Sequence, residues 1–354
     1  MKWGFRWYGE NDDSIPLKHV RQIPGMKGVV GTLLNKLPGD VWEVNEIQAL
    51  KESIKKENLE LLGIESVAIH DAIKAGTDER DLYIDNYIQT IKNLSTCGVD
   101  LICYSFKPIF GWAKTELFYE NEDGSHSLVY DQKVVENMEP GEMYTLIHSQ
   151  SKGFRLPGWE EERLKKFQSL LDIYEGITEE KLFENLSYFL NKIIPVCEEM
   201  DVKMAIHPDD PPWEIFGLPR ITKNLDDIQK ILNIVDSPYN GITLCTGSLG
   251  ADPNNDLVEI INTVGNRINF VHFRNVEFMD ERKFKEVAHP SAEGSLDMYA
   301  IMKALVDNGF DGVIRPDHGR TVWGEVAMPG YGLYDRAMGI TYMQGLYEAI
   351  KRNQ

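Results

Sequence analysis

Nowhere in the 354 residues does an apolar run approach the roughly 18 residues that a membrane span needs, and the opening Met1-Lys2-Trp3-Gly4-Phe5-Arg6 lacks the hydrophobic stretch of a secretion signal. The sequence therefore reads as that of a cytoplasmic protein without a membrane partner. Cysteine is scarce too. Cys97, Cys103, Cys197 and Cys245 form no CxxC pair, which excludes a zinc ribbon or dithiol redox motif and makes reduced thiols the expected state. Cations are outnumbered, with 37 Lys and Arg against 56 Asp and Glu and a formal charge of −19. Such a surface repels phosphate backbones, so nucleic acid is set aside as a partner. It also opposes an anionic small substrate unless a metal ion or local arginines reverse the potential inside a pocket.

What is present is an even distribution of apolar residues, 42% of the chain, enough to bury a large core in one domain spanning 1–354. Short strand-like runs at 2–7, 28–34, 63–69, 100–106, 203–208, 241–246, 267–274 and 312–317 alternate with amphipathic stretches at 46–56, 83–95, 181–200, 224–234, 257–264, 296–308 and 334–351. Repeated βα units build a parallel sheet, and about eight strands close it into a (β/α)₈ TIM barrel. The pairs Cys97-Gly98 and Asn308-Gly309 end helical stretches just before a strand, as helix C-caps do. The stretch 109–178 breaks the rhythm and reads as an insertion after the fourth strand, rich in aromatics such as Trp112, Phe118, Tyr119 and Trp159. An insertion there sits over the active-site face, as a lid, an oligomer contact or local aromatic packing.

Four metal-competent residues fall at the ends of successive later strands: His207 in Ile206-His207-Pro208, Cys245 in Leu244-Cys245-Thr246, His272 in Val271-His272-Phe273 and Asp317 in Pro316-Asp317-His318. Taken singly each has a plain structural meaning: a hydrogen-bonded core histidine, a buried small apolar cysteine, an aspartate capping a helix or pairing with Arg315. Their repetition in register is what points to one cation, because the C-terminal ends of barrel strands converge. Two imidazoles, a thiolate and a carboxylate suit zinc, iron, cobalt or manganese. His318 follows as a general acid or base, or as a loop residue before Gly319. The glycine-punctuated run to Gly330-Tyr331-Gly332 is expected to fold over the barrel mouth and bring in Tyr331. Arg6, with Trp7 beside it, and Arg274 are candidates for gripping a carboxylate, with surface ion pairs as the simpler role. Asp209 and Asp210 either support His207 or belong to a solvated loop.

These strings together resemble the mannonate dehydratase family over nearly the whole length: Met1 to Trp7, His207-Pro208-Asp209-Asp210-Pro211-Pro212, Cys245-Thr246-Gly247-Ser248, His272-Phe273-Arg274-Asn275, Arg315-Pro316-Asp317-His318-Gly319-Arg320 and Gly330-Tyr331. The resemblance implies a barrel related to xylose isomerase and dehydration of D-mannonate to 2-keto-3-deoxy-D-gluconate in hexuronate (glucuronate) catabolism. It further implies a divalent metal, manganese foremost with iron or cobalt compatible. His207, Cys245, His272 and Asp317 become the ligands, and His318 and Tyr331 the acid–base pair. The chemistry of the residues alone leaves room for a sugar isomerase or epimerase, or for a non-catalytic sugar-acid binding module, on the same barrel. A homodimer is the expected assembly.

Overall fold

The computed structural model describes residues 1–156, 158–159 and 165–354. Parallel strands β1 (Lys2–Arg6), β2 (Gly28–Gly31), β3 (Glu60–Glu65), β4 (Leu101–Tyr104), β7 (Lys203–Ile206), β8 (Asn240–Cys245), β9 (Ile268–Phe273) and β12 (Val313–Pro316) close into a barrel in that order. The remaining strands, β5 (Glu116–Glu120), β6 (His126–Asp131), β10 (Val276–Asp280) and β11 (Lys283–Glu286), form a separate antiparallel sheet in the order β10-β11-β6-β5. Among the described residues no helix is long and apolar enough to cross a membrane.

Strands β8 and β9 are buried at every position, because helices cover the outer face and side chains fill the inner one. Alternation sorts the two faces. Val30, Leu101, Cys103, Ala205, Phe270 and Val313 pack together inside, whereas Phe5, Ile102, Met204, Ile206, Leu244, Val271, Phe273 and Ile314 belong to the larger core shared with the helices. The same two-residue period carries the inner face upward from Ala205 to His207, from Phe270 to His272, and from Val313 through Arg315 to Asp317.

Helix starts are capped by side chains that satisfy otherwise unpaired N–H groups: Asn224, Asp256 and Asp297 accept from Asp227 N, from Val258 N and Glu259 N, and from Ala300 N. Gly98 and Gly309 take φ of +72° at the C-terminal turns that precede β4 and β12, a conformation that a side chain would resist.

One sequence expectation changes here. The third strand runs over Glu60–Glu65 and not 63–69, so Glu65 ends that strand. Strand β6 of the insertion pairs with β11 from the connection after β9, so two excursions build one sheet. Backbone pairing between His126 and Thr321 then ties that sheet to the loop after β12. Pro157 and residues 160–164 of the insertion lie outside the described residues.

Candidate metal centre and active-site pocket

His207, Cys245, His272 and Asp317 converge at the C-terminal mouth of the barrel, with one ligand atom from each lying within 4.8 Å of the others. His207 Nε2 stands 3.2 Å from His272 Nδ1, Cys245 Sγ 3.6 Å from Asp317 Oδ2, and His272 Nδ1 3.7 Å from Asp317 Oδ1. Four donors placed about 2.1 Å from a common centre are about 3.4 Å apart in a tetrahedral arrangement, so these separations suit a shared first-row divalent ion.

His207 Nδ1 lies 2.7 Å from the Pro208 carbonyl, an acceptor that favours a proton on Nδ1, and 3.2 Å from Lys107 Nζ, a donor that favours the opposite tautomer, while Nε2 faces the cluster. His272 Nε2 lies 3.3 Å from Glu65 Oε2, which favours a proton there and a lone pair on Nδ1. Burial lowers the proton affinity of both imidazoles, so they are neutral and ready to bind a cation.

The thiol is the group of the four that resists. Burial and the Asp317 charge push Cys245 up to about 12, against help from Arg274 and from Ser248 Oγ, which donates to Sγ at 3.1 Å. A cation must therefore displace the thiol proton as it binds, and affinity should rise about tenfold per pH unit on that account between pH 6.5 and 8.5. Calorimetric Mn²⁺ titration in buffers of different ionisation enthalpy should show one proton released per ion. A pH-independent affinity with no proton release would remove Cys245 from the ligand set.

Beneath the cluster lies a charge array that strand positions explain. Arg315, two residues along the inner face from Asp317, is fully buried; its Nη2 sits 2.8 Å from both oxygens of Glu65 and its Nη1 3.0 Å from Asp317 Oδ1. Burial opposes ionisation of Glu65, but Arg315 and His272 outweigh it and hold the carboxyl well below its ordinary value of 4.5. Glu65→Gln should cost about 3–5 kcal/mol, because it strands the Arg315 guanidinium without its main counter-charge. The sign with pH follows: a depressed carboxyl stabilises fully above its unfolded value and loses that contribution as pH falls through its folded value. Thermal melts of wild type and variant should therefore differ by several degrees at pH 7 and converge on acidification. Equal melting temperatures at pH 7 would contradict this account of Glu65.

A cavity of about 260 Å³ opens above the cluster, bounded by residues of the barrel and of the 109–178 excursion, including Tyr8, Trp112, His207, Asp317, His318 and Tyr331. Arg6, Lys36, Lys74, Lys107 and Arg155 also line it, so positive side chains gather in the pocket of an otherwise acidic protein. That is the local reversal a carboxylate ligand requires. Lys107, buried just past β4, places Nζ 3.2 Å from His207 Nδ1 and donates to the Gly111 carbonyl. Trp112 presents its ring 6.5 Å from that of His318, so the insertion is part of the pocket wall.

His318 and Tyr331 meet there, Nε2 to Oη at 3.0 Å. On its other side His318 Nδ1 lies 3.3 Å from Glu286 Oε1. Burial and neighbouring Tyr8 push the Tyr331 phenol well above its usual range, so it keeps its proton near neutrality. Arg336 fixes the Tyr331 backbone, donating to the carbonyls of Tyr331, Gly332 and Arg6.

The three carboxylate-gripping candidates separate. Arg6 lines the pocket, anchored by Nη1 to the Trp7 and Val30 carbonyls and stacked over Tyr8. Trp7 does not: one residue past the end of β1, it packs in the helix-covered core. Arg274 is neither a surface pair nor a pocket residue. It is fully buried, with Nε and Nη2 on Glu286 and Nη1 on Asp210 and Ser248, which leaves it no fork to offer a substrate. Asp209 and Asp210 are buried as well and serve neither of the roles expected of them. Asp209 accepts from Thr222 N, and Asp210 pairs with Arg274 and Lys114.

The family model described as D-mannonate dehydratase (UxuA) matches residues 1–354. The chain belongs to the mannonate dehydratase family. Its relatives include the mannonate dehydratase of Enterococcus faecalis, 73% identical over 354 residues covering 100% of this chain and 99% of that protein. Among solved structures, the mannonate dehydratase from Streptococcus suis serotype 2 superposes with a TM-score of 0.90 at 41% identity, covering 100% of this chain and 95% of that one. A xylose isomerase domain protein from Planctomyces limnophilus superposes at 0.57 with 11% identity, covering 99% of this chain and 100% of that one, a likeness of fold alone. The family's reaction, removal of water from mannonate, is a carbon–oxygen lyase reaction, and the pocket has to be read in its terms.

Proposed function

We propose that this mannonate dehydratase family member carries out a metal-dependent dehydration of D-mannonate to 2-keto-3-deoxy-D-gluconate in hexuronate (glucuronate) breakdown. His207, Cys245, His272 and Asp317 hold the ion, with manganese as the first candidate and iron or cobalt compatible with the same donors. The observation that carries the reading is that four metal-competent side chains converge at the barrel mouth and that two of them, His207 and Asp317, line the same cation-bearing cavity as the His318–Tyr331 pair. When bound, the ion supplies positive charge beside the substrate's carboxylate end, where electron density builds as the C2 proton leaves.

The chain's own residues do the rest. Arg6 and Lys107 draw the carboxylate inward, offsetting the repulsion of an acidic surface. His318, neutral at Nε2, takes the proton from C2. Tyr331, still protonated, gives its proton to the departing C3 hydroxyl, which leaves as water. The electron pair of the broken C2–H bond becomes the C2–C3 double bond, and the enol then loses its C2 O–H proton as it gains one at C3, which gives the ketone. Purified protein supplied with Mn²⁺ and D-mannonate should release a 2-keto-3-deoxy acid in a keto-acid assay. Aldose–ketose or epimer exchange without water loss would instead identify an isomerase or epimerase, and tight binding without turnover a sugar-acid binding module.

A further inference from the structure

Behind His318 lies a buried charge quartet that the reaction as written does not use. Glu286 ends β11, Arg274 follows β9, Asp210 follows β7, and Lys114 comes from the excursion after β4; all four are essentially inaccessible to solvent. Arg274 grips both oxygens of Glu286 through Nε and Nη2 and reaches Asp210 Oδ2 with Nη1 at 2.8 Å. Lys114 Nζ sits 3.0 Å from Asp210 Oδ1 and 3.8 Å from Glu286 Oε1. Two cations and two anions balance, as burial of charge demands. The path of Arg274 is built in: a Cβ on Gly247 would lie 2.4 Å from its Cγ and Cδ, so glycine leaves room for the side chain to pass.

Burial opposes ionisation of Glu286, but Arg274, His318 and Lys114 keep its carboxyl below the ordinary range, so it presents an oxygen that can only accept. That oxygen, Oε1, lies 3.3 Å from His318 Nδ1. We propose that Glu286 is the positioning residue that sets the tautomer of His318, holding the proton on Nδ1 so that Nε2 faces Tyr331 and the pocket as a bare lone pair, with Arg274, Lys114 and Asp210 locking the carboxylate in place. The inference rests on His318 being the base, and it gives the two excursions a shared purpose: Lys114 and Glu286 come from different connections and meet only because β6 and β11 pair.

Glu286→Gln breaks the arrangement without changing its size. An amide replaces one of the two accepting oxygens by a donor: its NH₂ turned toward Arg274 Nε opposes an N–H, and turned toward His318 Nδ1 it favours the wrong tautomer. The corresponding error in a Ser-His-Asp triad costs about 10⁴ in turnover. For Glu286→Gln, kcat with D-mannonate should fall at least about 100-fold, while KM stays within about threefold and bound Mn²⁺ is retained. Glu286→Asp, which keeps the charge, should recover part of the loss. Neutron diffraction from the unsubstituted metal-loaded protein reads the same point directly and needs no variant to fold: His318 should carry its deuteron on Nδ1. A bare Nδ1, or a folded Glu286→Gln protein with unchanged kcat, overturns the proposal. If His318→Asn itself keeps full activity, it is the assignment of the base that has failed; an inactive His318→Asn beside a fully active Glu286→Gln sinks only the role of Glu286.

Discussion

Replacing His318 by Asn should lower turnover of D-mannonate by about 10²–10⁴-fold, the usual contribution of a positioned general base, while the protein keeps its metal and its fold. The expectation follows from position. His318 is adjacent to Asp317 in sequence but lines the cavity with its own ring, bonded to Tyr331 and facing Glu286. Asn removes the imidazole lone pair and leaves the ligand set intact. Proton exchange separates the two partners of the pair. In D₂O, His318→Asn should neither exchange the C2 hydrogen nor form product. Tyr331→Phe, which keeps the ring and loses the phenol proton, should still exchange C2 while releasing water far more slowly. Elimination at the normal rate in His318→Asn would remove the histidine from the chemistry, and a Tyr331→Phe enzyme blind to C2 exchange would invert the two assignments.

Removing the divalent ion should have the largest effect of all. Without it the cluster at the mouth contains two neutral imidazoles, a protonated thiol and one carboxylate already paired with Arg315, and these four groups supply no positive charge to stabilise the density that builds as the C2 proton leaves. Chelator-treated protein, shown to be metal-free by elemental analysis, should have no measurable dehydratase activity, and Mn²⁺ should restore it; parallel additions of Fe²⁺ and Co²⁺ rank the alternatives. Stability should follow occupancy, since an ion that binds only the folded chain at 100 times its dissociation constant contributes about 2.7 kcal/mol. A higher melting temperature on adding Mn²⁺ is thus expected together with recovered activity. Full turnover in metal-free protein would eliminate the electrophile from the mechanism.

Much of this architecture is legible along the chain. Seven of the eight strand candidates overlap their observed strands closely, because parallel barrel strands are short, apolar and bounded by amphipathic helices. The third differs because Leu59-Glu60-Leu61-Leu62 continues the apolar pattern of the preceding helix, whereas Ile64, Val67, Ala68 and Ile69 extend the apolar run beyond the strand's observed end at Glu65. That slip hid Glu65. A carboxylate at a barrel strand end is the signal that singled out Asp317, and it would have singled out Glu65 had the strand been placed three residues earlier. Trp7 was an error of parity. Once Arg6 at the end of β1 faces inward, extended backbone turns the next residue, Trp7, outward. Arg274 has the inward parity, but beyond the end of β9 its direction is set by Glu286 and Asp210, from two other connections.

What the sequence determined by itself is whatever depends on short-range periodicity and strand-end position: the barrel, the inward-facing residues and the convergence of His207, Cys245, His272 and Asp317. What only the tertiary structure decided is which distant charges meet. Lys114, Asp210, Arg274 and Glu286 form one buried quartet, and Glu65 pairs with Arg315 across 250 positions of sequence separation. Periodicity reports which face of its own element a side chain occupies. It carries no information about the partner that neutralises a buried charge, because that partner is chosen by how the connections pack over the barrel mouth, and the cost of leaving the charge unpaired is felt only after the chain has folded around it.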